Sequence, residues 1–162
     1  MFRAETEKEK IKKDGLIKAI SSCGCTPSSK LVNIVYDWLD FYNGLFLLSA
    51  KDKTDNVLVA VYYRDVIYLL GESYPTIMYA PKMLLSIVDD THVHIEDILV
   101  KNNNNGNGSI LMNALFKFAK SKNIDLITGD LSPIDNDHKD RRNHYYEKFG
   151  FKITENMVSK RC

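Results

Sequence analysis

The sequence has almost no excess of charge of either sign. Its 22 Lys and Arg residues are balanced by 21 Asp and Glu residues, which gives a formal net charge of +1. Nucleic acids and anionic membranes attract proteins largely through excess positive charge. Neither nucleic acid nor a membrane is therefore expected as the main partner of this protein.

Long apolar stretches are absent as well. No run reaches the roughly 20 residues that a bilayer-spanning helix needs, and the opening MFRAETEKEKIKKDG lacks the apolar centre of a signal peptide. With 44% hydrophobic and 27% charged residues, the composition is that of a globular chain with one core. We expect one domain over residues 1–162, located in the cytoplasm.

Cysteine is scarce, which excludes a disulfide-stapled scaffold. Cys23, Cys25 and Cys162 are too few for such a framework, and no CxxC pair accompanies the CGC motif. We interpret CGC as small residues in a turn. The DNDH segment at 135–138 lacks the ligand spacing of a calcium loop or a zinc site and is better explained by helix capping. No metal is expected.

Apolar periodicity predicts four helices and a β-rich centre. The predicted helices lie at 4–20, 31–43, 109–121 and 137–150, with a further short helix at 81–89. The predicted strands lie within 45–70 and at 93–100, 124–131 and 151–154.

This order of elements predicts an α/β (α+β) fold with a mixed, mostly antiparallel central sheet flanked by helices. The strand–helix–strand unit over 93–131 should be parallel and right-handed, whereas the earlier strands should form an antiparallel meander. Only twelve residues follow Gly150. The last strand is therefore either short or completed by a second copy in a homodimer.

The segment NNNNGNG at 102–108 stands between a predicted strand and a predicted helix. Gly106 and Gly108 let the backbone approach a ligand closely. The first N–H groups of a helix lack intrahelical partners, and a phosphate can accept hydrogen bonds from them. The spacing matches neither a Walker loop nor a complete Rossmann fingerprint.

The motifs around this loop resemble those of the GNAT superfamily of acyl-CoA-dependent N-acetyltransferases. The resemblance covers residues 91–153. Its most specific parts are G-x-G after the IEDILV strand and Y-x-x-x-G-F from Tyr146 to Phe151. It implies a GNAT-like fold in which a splayed parallel strand pair opens a cleft for acetyl-CoA.

The resemblance also implies a set of binding residues. The backbone of Leu99 and Val100 would bind the pantetheine arm, and the residues that would hold the diphosphate are Asn105, Gly106, Asn107, Gly108 and Ser109. The chain departs from the family at Asn103, where Arg or Gln is usual and where Lys101 could compensate. It also has Lys139 at the place of the usual pantetheine-binding asparagine, a role that either Asn136 or Asn143 could take over.

Two residues are the candidates for catalysis. Tyr146 occupies the position of the family's tyrosine acid, and a phenol with a pKa near 10 suits protonation of a thiolate leaving group. Glu96, in the E-D pair of IEDILV, is the candidate base. Strand alternation would place His94, Glu96 and Ile98 on one face and Asp97 on the other. His94 is the alternative base.

The sequence therefore predicts direct transfer of an acetyl group from acetyl-CoA to a primary amine, with the identity of the amine left open. One alternative is an acyl-CoA-binding module without turnover. A second is a toxin-like acetyltransferase of aminoacyl-tRNA, suggested by the basic first helix with Lys8, Lys10, Lys12 and Lys13.

Overall fold

A computed structural model describes residues 3–101, 105–131 and 138–162 of the chain. Its helices are α1 (Glu7–Ser21), α2 (Ser29–Tyr42), α3 (Asn107–Ser121) and α4 (Lys139–Lys148). Its strands are β1 (Leu45–Lys51), β2 (Val57–Tyr63), β3 (Val66–Leu70), β4 (Lys82–Asp89), β5 (His92–Leu99), β6 (Leu126–Asp130), β7 (Lys152–Thr154) and β8 (Met157–Arg161).

The described strands form one eight-stranded sheet in the order β1-β2-β3-β4-β5-β6-β8-β7. Neighbouring strands are antiparallel except for β5 and β6, which are joined through α3 and run parallel. The predicted mixed, mostly antiparallel sheet is confirmed. Both edges are weak as strand templates, since β1 has a register shift between Phe46 and Leu48 and β7 has only three residues.

Alternation along β2 divides the core between the two faces of the sheet. Leu58 and Ala60 point to the side of α3, whereas Val59 and Val61 pack with α1 and α2. The helices start where the sequence provides caps, because Thr6 and Glu9 form a capping box before α1 and Ser28 caps α2. A disulfide joins Cys23 and Cys25 in the turn between these helices.

One expectation about secondary structure was wrong. Residues 81–89 form strand β4 rather than a short helix, because Met83 and Leu85 are buried in alternation and the segment pairs with β3 and β5 on either side. The chain also completes its own closing hairpin, since β8 pairs with both β6 and β7. No second copy is needed to supply a partner for the last strand.

Candidate functional site

The start of α3 is half-buried at Gly106, Gly108 and Ser109, and its first backbone N–H groups have no intrahelical partners. Gly106, the residue before the helix, has a φ of 85°, which glycine adopts far more readily than other residues. No side chain of the described residues caps this end of the helix. The first-turn N–H groups and the positive end of the helix dipole are therefore available to an anion.

The loop before α3 is tied to the turn between β1 and β2. The Asn105 side-chain Nδ2 donates to Asp52 Oδ2 over 3.1 Å, and the Lys53 backbone N–H donates to the Asn105 carbonyl over 3.0 Å. Asp52 is only 7% exposed. Burial raises the pKa of this carboxyl, but hydrogen bonds from Asn56 and Thr54 outweigh it and hold the pKa below its usual value. A charged anchor thus fixes one side of the loop.

Helix α4 holds the other side of the loop. The Tyr145 hydroxyl donates to the Gly108 carbonyl over 2.7 Å, and Lys148 Nζ donates to Ser109 Oγ over 3.0 Å. A Cβ atom at Gly108 would lie 3.4 Å from the Tyr145 ring, so a larger residue would crowd this contact. Lys148 brings a positive charge to the start of α3.

The parallel strands separate beside this helix start. Pairing between β5 and β6 ends in the described chain at Ile95 and Gly129, although β5 continues to Leu99. On its other side, β5 has an irregularity, since Leu84 pairs with Asp97 while Leu85 pairs with Ile95. Glu96 is the extra residue of this β-bulge.

A cavity of about 470 Å³ occupies the gap between β5, β6 and α4. Its lining brings together Glu96, Val100, Gly108 and Tyr146. Tyr146 is 8% exposed. Burial raises the pKa of its phenol, the Arg142 guanidinium opposes that shift, and the Asp97 carboxylate adds to it.

The comparisons with known proteins concern the fold. No model of a known protein family matches the sequence. The solved structure of Ard1 from Thermoplasma volcanium superposes with a TM-score of 0.50 at 14% identity, covering 93% of this chain and 91% of that one. The chain has a GNAT-like fold. The fold that the sequence motifs implied is thereby confirmed.

Two further similarities accompany this match. A GNAT family acetyltransferase from Elizabethkingia anophelis, solved with acetyl-CoA bound, has a TM-score of 0.46 at 16% identity and covers 78% of this chain and 82% of its own. The uncharacterized protein YocC of Bacillus subtilis (strain 168) is 41% identical over 70 residues. That match spans 43% of this chain and 42% of YocC, less than half of either.

Within the GNAT-like fold, the candidate acid and base lie at one cavity, but the environment of Glu96 differs from the expectation. Simple alternation was expected to place Glu96 and Asp97 on opposite faces of β5. The bulge interrupts that alternation, so both side chains are exposed and both line the cavity. Glu96 is therefore at a solvent-accessible rim and not on a buried face.

The candidate phosphate residues divide into three kinds. Gly106, Gly108 and Ser109 are half-buried at the start of α3. Asn105 anchors the loop through its side-chain Nδ2, which donates to Asp52, and through its backbone carbonyl, which accepts from Lys53. Asn107 is 1% exposed, and its buried Oδ1 has no hydrogen-bond partner among the described residues. Its side chain belongs to the interior and not to the exposed surface of the loop.

The candidate pantetheine residues lie at the end of β5. Leu99 is 45% exposed and Val100 is partly buried against the core. Val100 lines both the first cavity and a second one of about 370 Å³, whereas Leu99 lines only the second. Met78 and Tyr79 line this second cavity from the connection between β3 and β4. The end of β5 therefore separates two cavities.

Some predicted positions lie outside the described residues. These are Asn103 and Asn136, together with 135–137 of the segment assigned to helix capping. Asn143 is described, on α4, and its buried Oδ1 has no hydrogen-bond partner among the described residues. Lys101 lies with its Nζ 5.1 Å from the centre of the Tyr79 ring.

Sequence reasoning missed two residues that contact this region from other elements. Asp52 contacts the loop before α3 through Asn105, and Lys148 contacts the first turn of α3 through Ser109. Lys148 is two residues after Tyr146 in the Y-x-x-x-G-F motif. The sequence therefore placed it on a helix but did not show that its side chain faces α3.

Among the described residues, no group of three or more His, Cys, Asp or Glu side chains is arranged to hold a metal ion. No helix described here is long and apolar enough to cross a membrane.

Proposed function

We propose that the protein is an N-acetyltransferase, working as one domain, that moves an acetyl group from acetyl-CoA directly to a primary amine. The observation that carries this proposal is the convergence of Tyr146, Glu96 and the start of α3 on one cavity, where the parallel strands separate. Each of the three supplies a different requirement of the reaction.

The start of α3 suits the diphosphate of acetyl-CoA. The N–H groups that follow Gly106 can donate to phosphate oxygens, and the helix dipole adds positive potential. Lys148, whose Nζ is 3.0 Å from Ser109 Oγ, brings a cation to the same place. This lysine offers the charge that an arginine in the loop would otherwise provide.

The end of β5 suits the pantetheine arm. Its edge towards β6 is unpaired beyond Ile95 in the described chain, so backbone groups of Leu99 and Val100 are placed to hydrogen-bond an extended amide chain. Asn143 lies on α4 but is not among the residues that line this cavity, so we assign it no contact with the pantetheine arm.

Tyr146 and Glu96 suit the proton transfers. Because burial raises the pKa of Tyr146, the phenol stays protonated at neutral pH and can donate its proton to the departing thiolate. Glu96, at the open rim of the cavity, can take a proton from the ammonium form of the acceptor, directly or through one water molecule. The neutral amine nitrogen then attacks the thioester carbonyl, the C–S bond breaks, and the thiolate takes the proton of Tyr146. The remaining proton of the attacking nitrogen passes to the Tyr146 phenolate and restores the phenol.

Calorimetry with acetyl-CoA and transfer assays on a panel of primary amines test the proposal. Tyr146→Phe should keep acetyl-CoA binding but slow transfer at least about tenfold, equivalent to about 1.4 kcal/mol in the barrier. Tyr145→Phe is the matched control. It removes the hydrogen bond to Gly108 and should weaken binding without slowing transfer at saturating acetyl-CoA.

Unchanged turnover in Tyr146→Phe would remove this tyrosine from the chemistry. Binding of acetyl-CoA with no transfer to any amine would favour the alternative of a non-catalytic acyl-CoA-binding module. Absence of binding at millimolar acetyl-CoA would overturn both.

A further inference from the structure

A continuous row of polar side chains crosses the parallel pair β5 and β6 and ends at the cavity. The Thr128 hydroxyl lies 2.7 Å from His92 Nε2 and 2.7 Å from His94 Nδ1. The other ring nitrogen of His94, Nε2, lies 3.2 Å from Asp130 Oδ2. Each member contacts the next, so the positions of the four side chains are linked.

Asp130 is the member of this row that reaches the cavity. It is the last residue of β6, just beyond the point where pairing with β5 ends, and it lines the same cavity as Glu96 and Tyr146. Its side chain is 73% exposed. A carboxylate has about four acceptor sites, so the contact with His94 leaves capacity for a ligand in the cavity.

The buried part of the row holds Asp130 in place. Thr128 is 8% exposed and its side chain is β-branched, which restricts its rotamers. Its hydroxyl fixes one nitrogen of His94, so the opposite nitrogen is presented to Asp130. His92 holds the same hydroxyl from the other side, at the end of the row away from the cavity.

The charges around the cavity are divided between its walls. Glu96, Asp97 and Asp130 lie on the strand side, whereas Arg141 and Arg142 lie on the α4 side. The three carboxylates on the strand side attract a cation that enters this cavity. The strand side is also where the candidate base Glu96 stands.

We propose that Asp130 binds the ammonium group of the acceptor, and that His94, Thr128 and His92 are positioning residues for it. This inference rests on the proposed transferase function and names its acceptor class, which is alkylamines that are cationic at neutral pH. Asp130 would hold the ammonium next to Glu96, which takes one N–H proton and leaves the neutral amine as nucleophile.

The decisive variant is Asp130→Asn, which keeps the size of the side chain and removes its charge. With n-butylamine as acceptor, KM should rise at least about tenfold, kcat should change much less, and the Kd of acetyl-CoA should stay the same. Added NaCl should raise the KM of the wild-type protein more than that of the variant, which keeps only Glu96 and Asp97 on this wall. Asp125→Asn, at the other end of the same strand segment, is the matched control and should behave as wild type.

Thr128 separates positioning from folding. Thr128→Ser keeps the hydroxyl and should retain the wild-type KM for n-butylamine. Thr128→Val removes the hydroxyl and should raise this KM. The Tm of both variants is measured to show that each is folded. A KM that is unchanged in Asp130→Asn, or raised equally in Asp125→Asn, overturns the proposal.

Binding of n-butylamine can also be followed without turnover, by NMR shifts of the β6 amides with n-butanol as the neutral analogue. Shifts with the amine alone that disappear in Asp130→Asn support the site even if no acetyl transfer occurs, and the proposed function then fails separately. No shift in the wild-type protein, or equal shifts with n-butanol, overturns the site.

Discussion

Replacing Asn105 by alanine tests whether the turn between β1 and β2 holds the loop before α3 in the conformation that we propose for binding the diphosphate. The substitution removes the 3.1 Å hydrogen bond from Asn105 Nδ2 to the Asp52 carboxylate. Hydrogen bonds to charged groups contribute about 1.5–3 kcal/mol, and neutral ones about 1 kcal/mol. Asp52 keeps its donors on Thr54 and Asn56, so it is not left without partners, and we take about 1.5 kcal/mol.

If this energy serves to order the loop, its loss appears in acetyl-CoA affinity. About 1.4 kcal/mol corresponds to a tenfold change in Kd, so calorimetry should show acetyl-CoA binding about tenfold more weakly to Asn105→Ala. The Tm should fall only slightly, since each kcal/mol of lost stability lowers the Tm of a domain of this size by about 2–4 °C.

Asn56→Ala is the matched control for this experiment. The Asn56 side chain donates to the same Oδ2 atom of Asp52 over 3.3 Å, but Asn56 does not belong to the loop before α3. We expect a similar small loss of Tm and an acetyl-CoA affinity close to that of the wild-type protein. Equal Kd values for Asn105→Ala and wild type, or an equal loss of acetyl-CoA affinity in the two variants, would refute the reasoning.

Two further substitutions test the walls of the same site. Gly106→Ala places a side chain at a φ of 85°, a conformation that costs about 1–2 kcal/mol for residues with a Cβ. Calorimetry should therefore show weaker acetyl-CoA binding. An unchanged Kd would show that this turn is not a ligand contact. Tyr145→Phe tests alkaline stability. Burial raises the pKa of Tyr145 in the folded protein, so the folded state keeps this proton above about pH 10 while the unfolded state loses it, and stability falls as pH rises. Denaturant titrations from about pH 9 to about pH 11 should show a smaller loss for Tyr145→Phe than for wild type, and parallel losses would contradict the assignment.

The sequence was sufficient to predict the main architecture because its signals are local. Helix α3 follows from the apolar stripe that includes Leu111 and Leu115, and the parallel unit around it follows from the order strand, helix, strand. Residues 81–89 were misassigned because MLLSIV is apolar in both phases. Only the neighbouring strands β3 and β5 decide that this segment is extended.

The finer features of the site depend on contacts between distant segments. The bulge at Glu96 arises from the register between β4 and β5, while the sequence of β5 itself shows ordinary alternation. Asp52 precedes an evident turn, yet its contact with Asn105 joins residues 53 positions apart. Lys148 was visible on a predicted helix, but its approach to Ser109 depends on how α4 packs against α3.

The poor edges of the sheet bear on how copies of this protein can associate. A three-residue strand at one margin and a strand with shifted register at the other present few aligned backbone donors and acceptors to an incoming chain. Continuous sheets shared between molecules are therefore disfavoured at both margins. We therefore expect a dimer of this protein to be held by side chains on its faces, where single substitutions can dissociate it without disrupting a strand.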